Sequence, residues 1–136
     1  VGEDEVASEA RRLLVLSPSL LRKLTGVECG EAAFILGQYG HRLQQAINHE
    51  QGKVTWTEEA IKAIIAPRIS QYSGISYEER RLQAIRDNTA ACKYDAIRVH
   101  AKIRIDRLSF LAAKAADMAK SLMSLNATKR GRNNNE

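Results

Sequence analysis

The chain has few of the residues that interrupt helices. It carries two prolines, Pro18 and Pro67, and neither proline nor glycine occurs between Gly74 and Gly131. That stretch has none of the usual stops, and helix is its default reading. Aromatic side chains are also scarce: Phe34, Phe110, Trp56 and four tyrosines. A platform for single-stranded bases needs several exposed rings, so this scarcity argues against one. Trp56 reads as a core anchor or an interface residue rather than a ligand platform. Cys29 and Cys92 have no metal-ligand spacing. They are either two buried thiols or one disulfide, and the sequence leaves both open. No apolar run approaches the roughly 18 residues of a membrane span, and no stretch has the pattern of a secretory leader.

Catalytic motifs are missing as well. His41, His49 and His100 are isolated, with no carboxylate or cysteine at metal or triad spacing. The run Gly37-Gln38-Tyr39-Gly40 lacks the lysine and serine or threonine of a phosphate loop. Glu58-Glu59 and Glu78-Glu79 read as acids at helix N-termini, not as a general acid–base pair. The expectation is a protein that is not an enzyme, with no cofactor, no metal and no small-molecule substrate.

Positive charge is what the chain does have. Lysine and arginine total 21 against 16 acids, a formal charge of +5 with a pI near 9.4. Arginine outnumbers lysine thirteen to eight, and its planar fork suits phosphate oxygens. Such a balance favours an anionic partner.

Helical spacing runs through most of the sequence. Residues 4–15 place Val6, Ala10, Leu13 and Leu14 on one face. Ser17 and Pro18 have the chemistry of a cap and first turn for a short helix over 18–25. A third helix is expected over 31–50. Gly37 and Gly40 within it each cost about 1 kcal/mol relative to alanine, which would suit close approach by another backbone. Gln51-Gly52-Lys53 reads as its end, Val54-Thr55-Trp56 as a short extended piece, and Thr57 as the cap of a fourth helix that Pro67 stops. Ser76 caps the last segment, residues 76–125, which as one helix would be roughly 75 Å long at ~1.5 Å per residue. Asp87-Asn88-Thr89 has cap-like chemistry and could break it. The fold class is therefore all-α, four short helices and one long C-terminal helix, assembling into a helical oligomer. The expected organisation is an N-terminal helical region (1–75), a long basic amphipathic helix (76–125) and a polar basic tail (126–136).

On a wheel of the long helix, Leu82, Ile85, Cys92, Val99, Ile103 and Phe110 share one broad face, with steps that suit a helix–helix seam. Leu111, Met118 and Leu122 make its later half apolar on several sides, which favours contact with other subunits. These nine residues are the expected oligomer interface. Beside them runs the stripe Arg86, Lys93, His100, Arg104, Arg107 and Lys114. With Arg80, Arg81, Arg98 and Lys102, and the tail cations Lys129, Arg130 and Arg132, it forms the expected nucleic-acid-binding set. The bland reading of such a stripe is a solvated face whose long stems cover apolar surface.

A small, basic, all-helical chain with this long helix and this stripe resembles, in architecture, the major coat proteins of archaeal filamentous and rod-shaped viruses. The resemblance implies subunits that dimerise, stack helically and wrap linear double-stranded DNA, in a virion. In that family the wrapping arm lies towards the N-terminus, whereas the longest helix here is C-terminal, so no family residue is carried over. The expected function is a structural protein that coats or packages nucleic acid, double-stranded DNA favoured, together with copies of itself or a related chain. The alternative is a helical adaptor inside the cell that pairs through the long helix and binds no nucleic acid.

Overall fold

A computed structural model describes the backbone of residues 3–74 and 76–135, and the side chains of 5–74 and 76–129. The described residues form α1 (Glu3–Leu14), α2 (Pro18–Arg22), α3 (Gly26–Ile65), a 3-10 turn (Ala66–Gln71), α4 (Tyr77–Arg86) and α5 (Thr89–Asn135), with no strand among them. The all-α class and the long C-terminal helix stand. The expected division into four short helices does not, because α3 is a single helix of 40 residues. The described chain forms two compact units, Val1–Ala46 with Leu108–Glu136, and Ile47–Arg107.

In the first unit, α1 buries Val6, Ala10, Leu13 and Leu14, the four residues that share its apolar face. They pack against Cys29, Ala32, Leu36, Tyr39 and Leu43 of α3 and Ala115 and Leu122 of α5. The two long helices run antiparallel here. A Cβ on Gly26, at the start of α3, would lie 3.2 Å from Asn126 Oδ1 near the far end of α5. The small inward residues Ala112, Ala115 and Ala119 of α5 admit close approach. Gly37 and Gly40 meet no backbone from another helix: the space where each Cβ would stand is open. Ser17 caps α2, its hydroxyl accepting from the Leu20 amide. At the head of α3, the Glu28 carboxylate accepts from the Thr25 N–H at 3.0 Å and the Thr25 hydroxyl from the Glu28 N–H at 3.1 Å. This reciprocal capping box satisfies two otherwise orphaned donors.

In the second unit, α3 buries Glu50, Val54, Thr57, Ile61 and Ile65. Ile61 and Ile65 pack with Ala84 and Ile85 of α4 and Ala91 of α5. This unit shows why α3 does not stop at Gly52. A helical glycine costs about 1 kcal/mol, whereas burying Val54 alone is worth roughly 1.5–3 kcal/mol. Thr57 begins no new helix, because its hydroxyl donates back to the Lys53 and Val54 carbonyls at 2.7 and 3.0 Å. α3 ends where Pro67 opens the 3-10 turn, and the Arg68 guanidinium donates to the Ile64 carbonyl.

The segment after Ser76 is broken. Ser76 caps α4 through the Glu79 amide, and the chain then turns at Asp87 and Asn88. The Asn88 side-chain oxygen accepts from the Ala91 N–H at 2.9 Å and opens α5. The Cys92 thiol donates to the Ile85 carbonyl at 3.0 Å, satisfying an end group of α4. Of the two alternatives for the cysteines, the disulfide is excluded: both are free, Cys29 buried and Cys92 exposed. Residues 126–135, expected as a tail, continue α5 as helix. No described helix is long and apolar enough to cross a membrane.

Candidate nucleic-acid interface

The expected binding cations separate once α5 has an inner and an outer side. In the second unit its inward positions are Ala91, Tyr94, Arg98, Ala101 and Ile105, stepping by three and four residues. Arg98 is therefore partly buried and holds Asp95 at 2.9 Å. Lys93, His100 and Arg107, spaced by seven residues, share one exposed flank. None of the three has an ion-pair partner among the described residues.

Arg104 extends this flank and reaches a carboxylate that the sequence did not single out. Glu50 is buried on α3, yet its Oε1 lies 3.5 Å from Arg104 Nη1 and 3.3 Å from Lys53 Nζ. Both cations stay substantially exposed, at 60 % and 40 % of their side-chain surface. The carboxylate thus anchors two stems whose charged ends still meet water, with a local balance of +1. One turn beyond Lys53 stands Trp56, 56 % exposed, in a T-shaped pair with Tyr94 with ring centroids 5.3 Å apart. Lys53 and its link to Glu50 were hidden because residues 51–56 read as a break, and Trp56, exposed as it is, is no core anchor. Continuous helix puts Lys53 and Trp56 on one side.

The remaining predicted cations lie elsewhere. Lys102 is about 200° around the helix from Arg104 at 3.6 residues per turn, and it faces Glu58 at 3.8 Å. Arg81 pairs with Glu78 at 3.7 Å. Arg80 is partly buried, and its Nε has no hydrogen-bond partner among the described residues. Arg86 is exposed at the end of α4. In the first unit, Lys114 is exposed. Lys129 is not a free cation: its ammonium donates to the Arg22 carbonyl at 3.0 Å and to the Leu24 carbonyl, closing the end of α2. The side chains of Arg130 and Arg132 lie outside the described residues.

The expected oligomer interface also divides. Ile85 and Leu122 are core residues of this chain, and Leu111 and Met118 pack against the core of the first unit. These four cannot serve as open surface. The break at residues 87–88 is the cause for Ile85, since α4 does not continue the wheel of α5. For Leu111, Met118 and Leu122, the first unit is large enough to cover one side of α5 by itself. Leu82, Cys92, Val99 and Ile103 in the second unit, and Phe110 in the first, remain exposed.

No group of three or more histidine, cysteine, aspartate or glutamate side chains could hold a metal among the described residues. An open groove of about 500 Å3 in the first unit is lined by Val6, Val27, Gly30, Phe34 and neighbouring residues, and none of the predicted site residues borders it. Comparison with protein-family models, with curated proteins and with solved structures finds no match.

Proposed function

We propose that the chain binds the phosphate backbone of a nucleic acid through the flank of α5 in the second unit, and that it coats or packages that nucleic acid in many copies. The observation that carries this reading is the row Lys93, His100 and Arg107, exposed and without ion-pair partners among the described residues, beside the anchored pair Lys53 and Arg104. Cations that face water next to one another release counterions when phosphates replace them, whatever the base sequence. Each subunit would contribute a few contacts, and avidity would come from subunits bound side by side. Self-association would use the exposed residues Val99 and Ile103 of the second unit. A filamentous virion coat on double-stranded DNA is the particular form that the architectural resemblance suggests. The test is titration of the purified chain into labelled duplex and single-stranded oligonucleotides. Salt-dependent binding of either supports the reading, and no binding of either at low salt refutes it.

A helical adaptor is the second reading. It is favoured by Val99 and Ile103, one turn apart on α5 and 40 % and 43 % exposed. Apolar residues placed so on a helix suit a partner helix. Val99→Asp would then abolish assembly and function together, and full activity of a monomeric Val99→Asp chain would exclude it.

A further inference from the structure

Backbone neutralisation needs charge only, and the indole of Trp56 plays no part in it. Its surroundings in the second unit are specific. Tyr94 stands against it at an interplanar angle of 89° and braces one side of the ring. A helical side chain leans over the turn N-terminal to its own Cα, and the residue one turn back is Gly52. The space where a Gly52 Cβ would stand is open, so no side chain, the indole included, covers the helix surface at Gly52 beside the ring. Lys53, three residues before Trp56, is tied with Arg104 to the buried Glu50 carboxylate. Lys93 adjoins Tyr94 in the chain and is exposed. An exposed ring held on one side by Tyr94, with Lys53 one turn away on its own helix and Lys93 next to Tyr94 in the chain, has the composition of a nucleotide site.

We infer that Trp56 is a stacking platform for an unpaired base of a single-stranded nucleic acid, whose phosphates are held by Lys53, Arg104 and Lys93. The inference rests on the nucleic-acid reading above and narrows its ligand. Bases of an intact duplex are stacked on one another, and a ring on the outside of a helix reaches only a base that is already free. Stacking on an aromatic side chain tolerates any base, because every base has a π-face. It therefore suits a protein with no sequence-reading motif. The general scarcity of aromatic residues argued against a multi-ring platform, and a single braced ring among cations is a different device.

Trp56 is the only tryptophan of the chain, so its emission reports on this position alone. The experiment titrates the full chain with a deoxythymidine oligomer of about 12 nucleotides, one phosphate track long enough for several contacts, and with a duplex of similar charge. The single strand should quench Trp56 emission saturably. Trp56→Leu should weaken single-strand affinity, read by anisotropy of a labelled oligomer, roughly 5- to 100-fold. Trp56→Phe should recover much of the loss, and duplex binding should be unchanged in both variants. Equal single-strand affinity of wild type and Trp56→Leu overturns the inference, as does binding without any change in emission. Emission that shifts with protein concentration alone also overturns it, since a second copy would then cover the indole. If neither strand form binds, the underlying nucleic-acid reading falls. If the duplex binds and the single strand does not quench, only the stacking site falls.

Discussion

Replacing Lys93 and Arg107 together by alanine should flatten the salt dependence of nucleic-acid binding by an amount set by two contacts. Each cation that neutralises a phosphate adds about 0.9 to the magnitude of the log–log salt slope on duplex and about 0.7 on a single strand. The double variant should therefore lose about 1.8 from the slope on duplex, or about 1.4 on a single strand. At about 0.1 M salt that is a loss of roughly 60-fold or 25-fold in affinity. Both side chains are exposed and without ion-pair partners among the described residues, and alanine is the better helix former. Folding should be spared, which circular dichroism checks. Lys102→Ala is the internal control. It has the same charge and the same helix, but Lys102 points about 200° away from Arg104 and faces Glu58. Its slope should match wild type. Wild-type slope and affinity in the double variant would refute the reasoning, and so would an equal loss from Lys102→Ala, which would mean that net charge alone decides binding.

Three further outcomes test the packing and the caps. Leu122 is fully buried in the first unit, and Leu122→Ala should cost about 2–5 kcal/mol, read by denaturant unfolding; a loss well under 1 kcal/mol would place it at a surface. Asn88→Ala removes the side-chain acceptor that opens α5 and should cost about 0.5–2 kcal/mol, whereas an unchanged midpoint would mean that α4 and α5 do not need the break. Glu28 is held below the ordinary glutamate range, first by the backbone bond from Thr25 and then by the side-chain bond with it. Its contribution is therefore present above the unfolded value and lost as pH falls through the lower folded value. Glu28→Gln should melt earlier than wild type near neutrality, and the gap should close below about pH 4; a gap that persists in acid would contradict the capping box.

What the sequence shows and what it hides divides between local and long-range causes. The buried face of α1 follows from the spacing of Val6, Ala10, Leu13 and Leu14. Ser17, Ser76 and Asn88 act as caps because a short polar side chain satisfies a nearby amide wherever the chain turns into a helix. The continuity of α3 through residues 51–56 was not legible. Gly52 and the β-branched Val54 and Thr55 favour a break locally, and the burial of Val54 and Thr57 overrides them. The Glu50–Arg104 pair was equally out of reach, since it depends on which turn of α5 lies against which turn of α3. The wheel puts Lys93, His100, Arg104 and Arg107 on one side, and all four are exposed on that flank of α5. Arg98 and Lys102 lie off that stripe on the wheel already, and only the packed structure brings Lys53 and Arg104 to the same carboxylate, Glu50.

If the chain carries nucleic acid, its ultraviolet absorbance ratio at 260 and 280 nm after purification from its native source shows it most directly. Particle size would be measured alongside, before and after nuclease and high salt. The expected result is a large particle rich in nucleic acid that falls apart under both treatments. A particle of unchanged size with a clean protein spectrum would contradict it and leave the helical adaptor as the better reading.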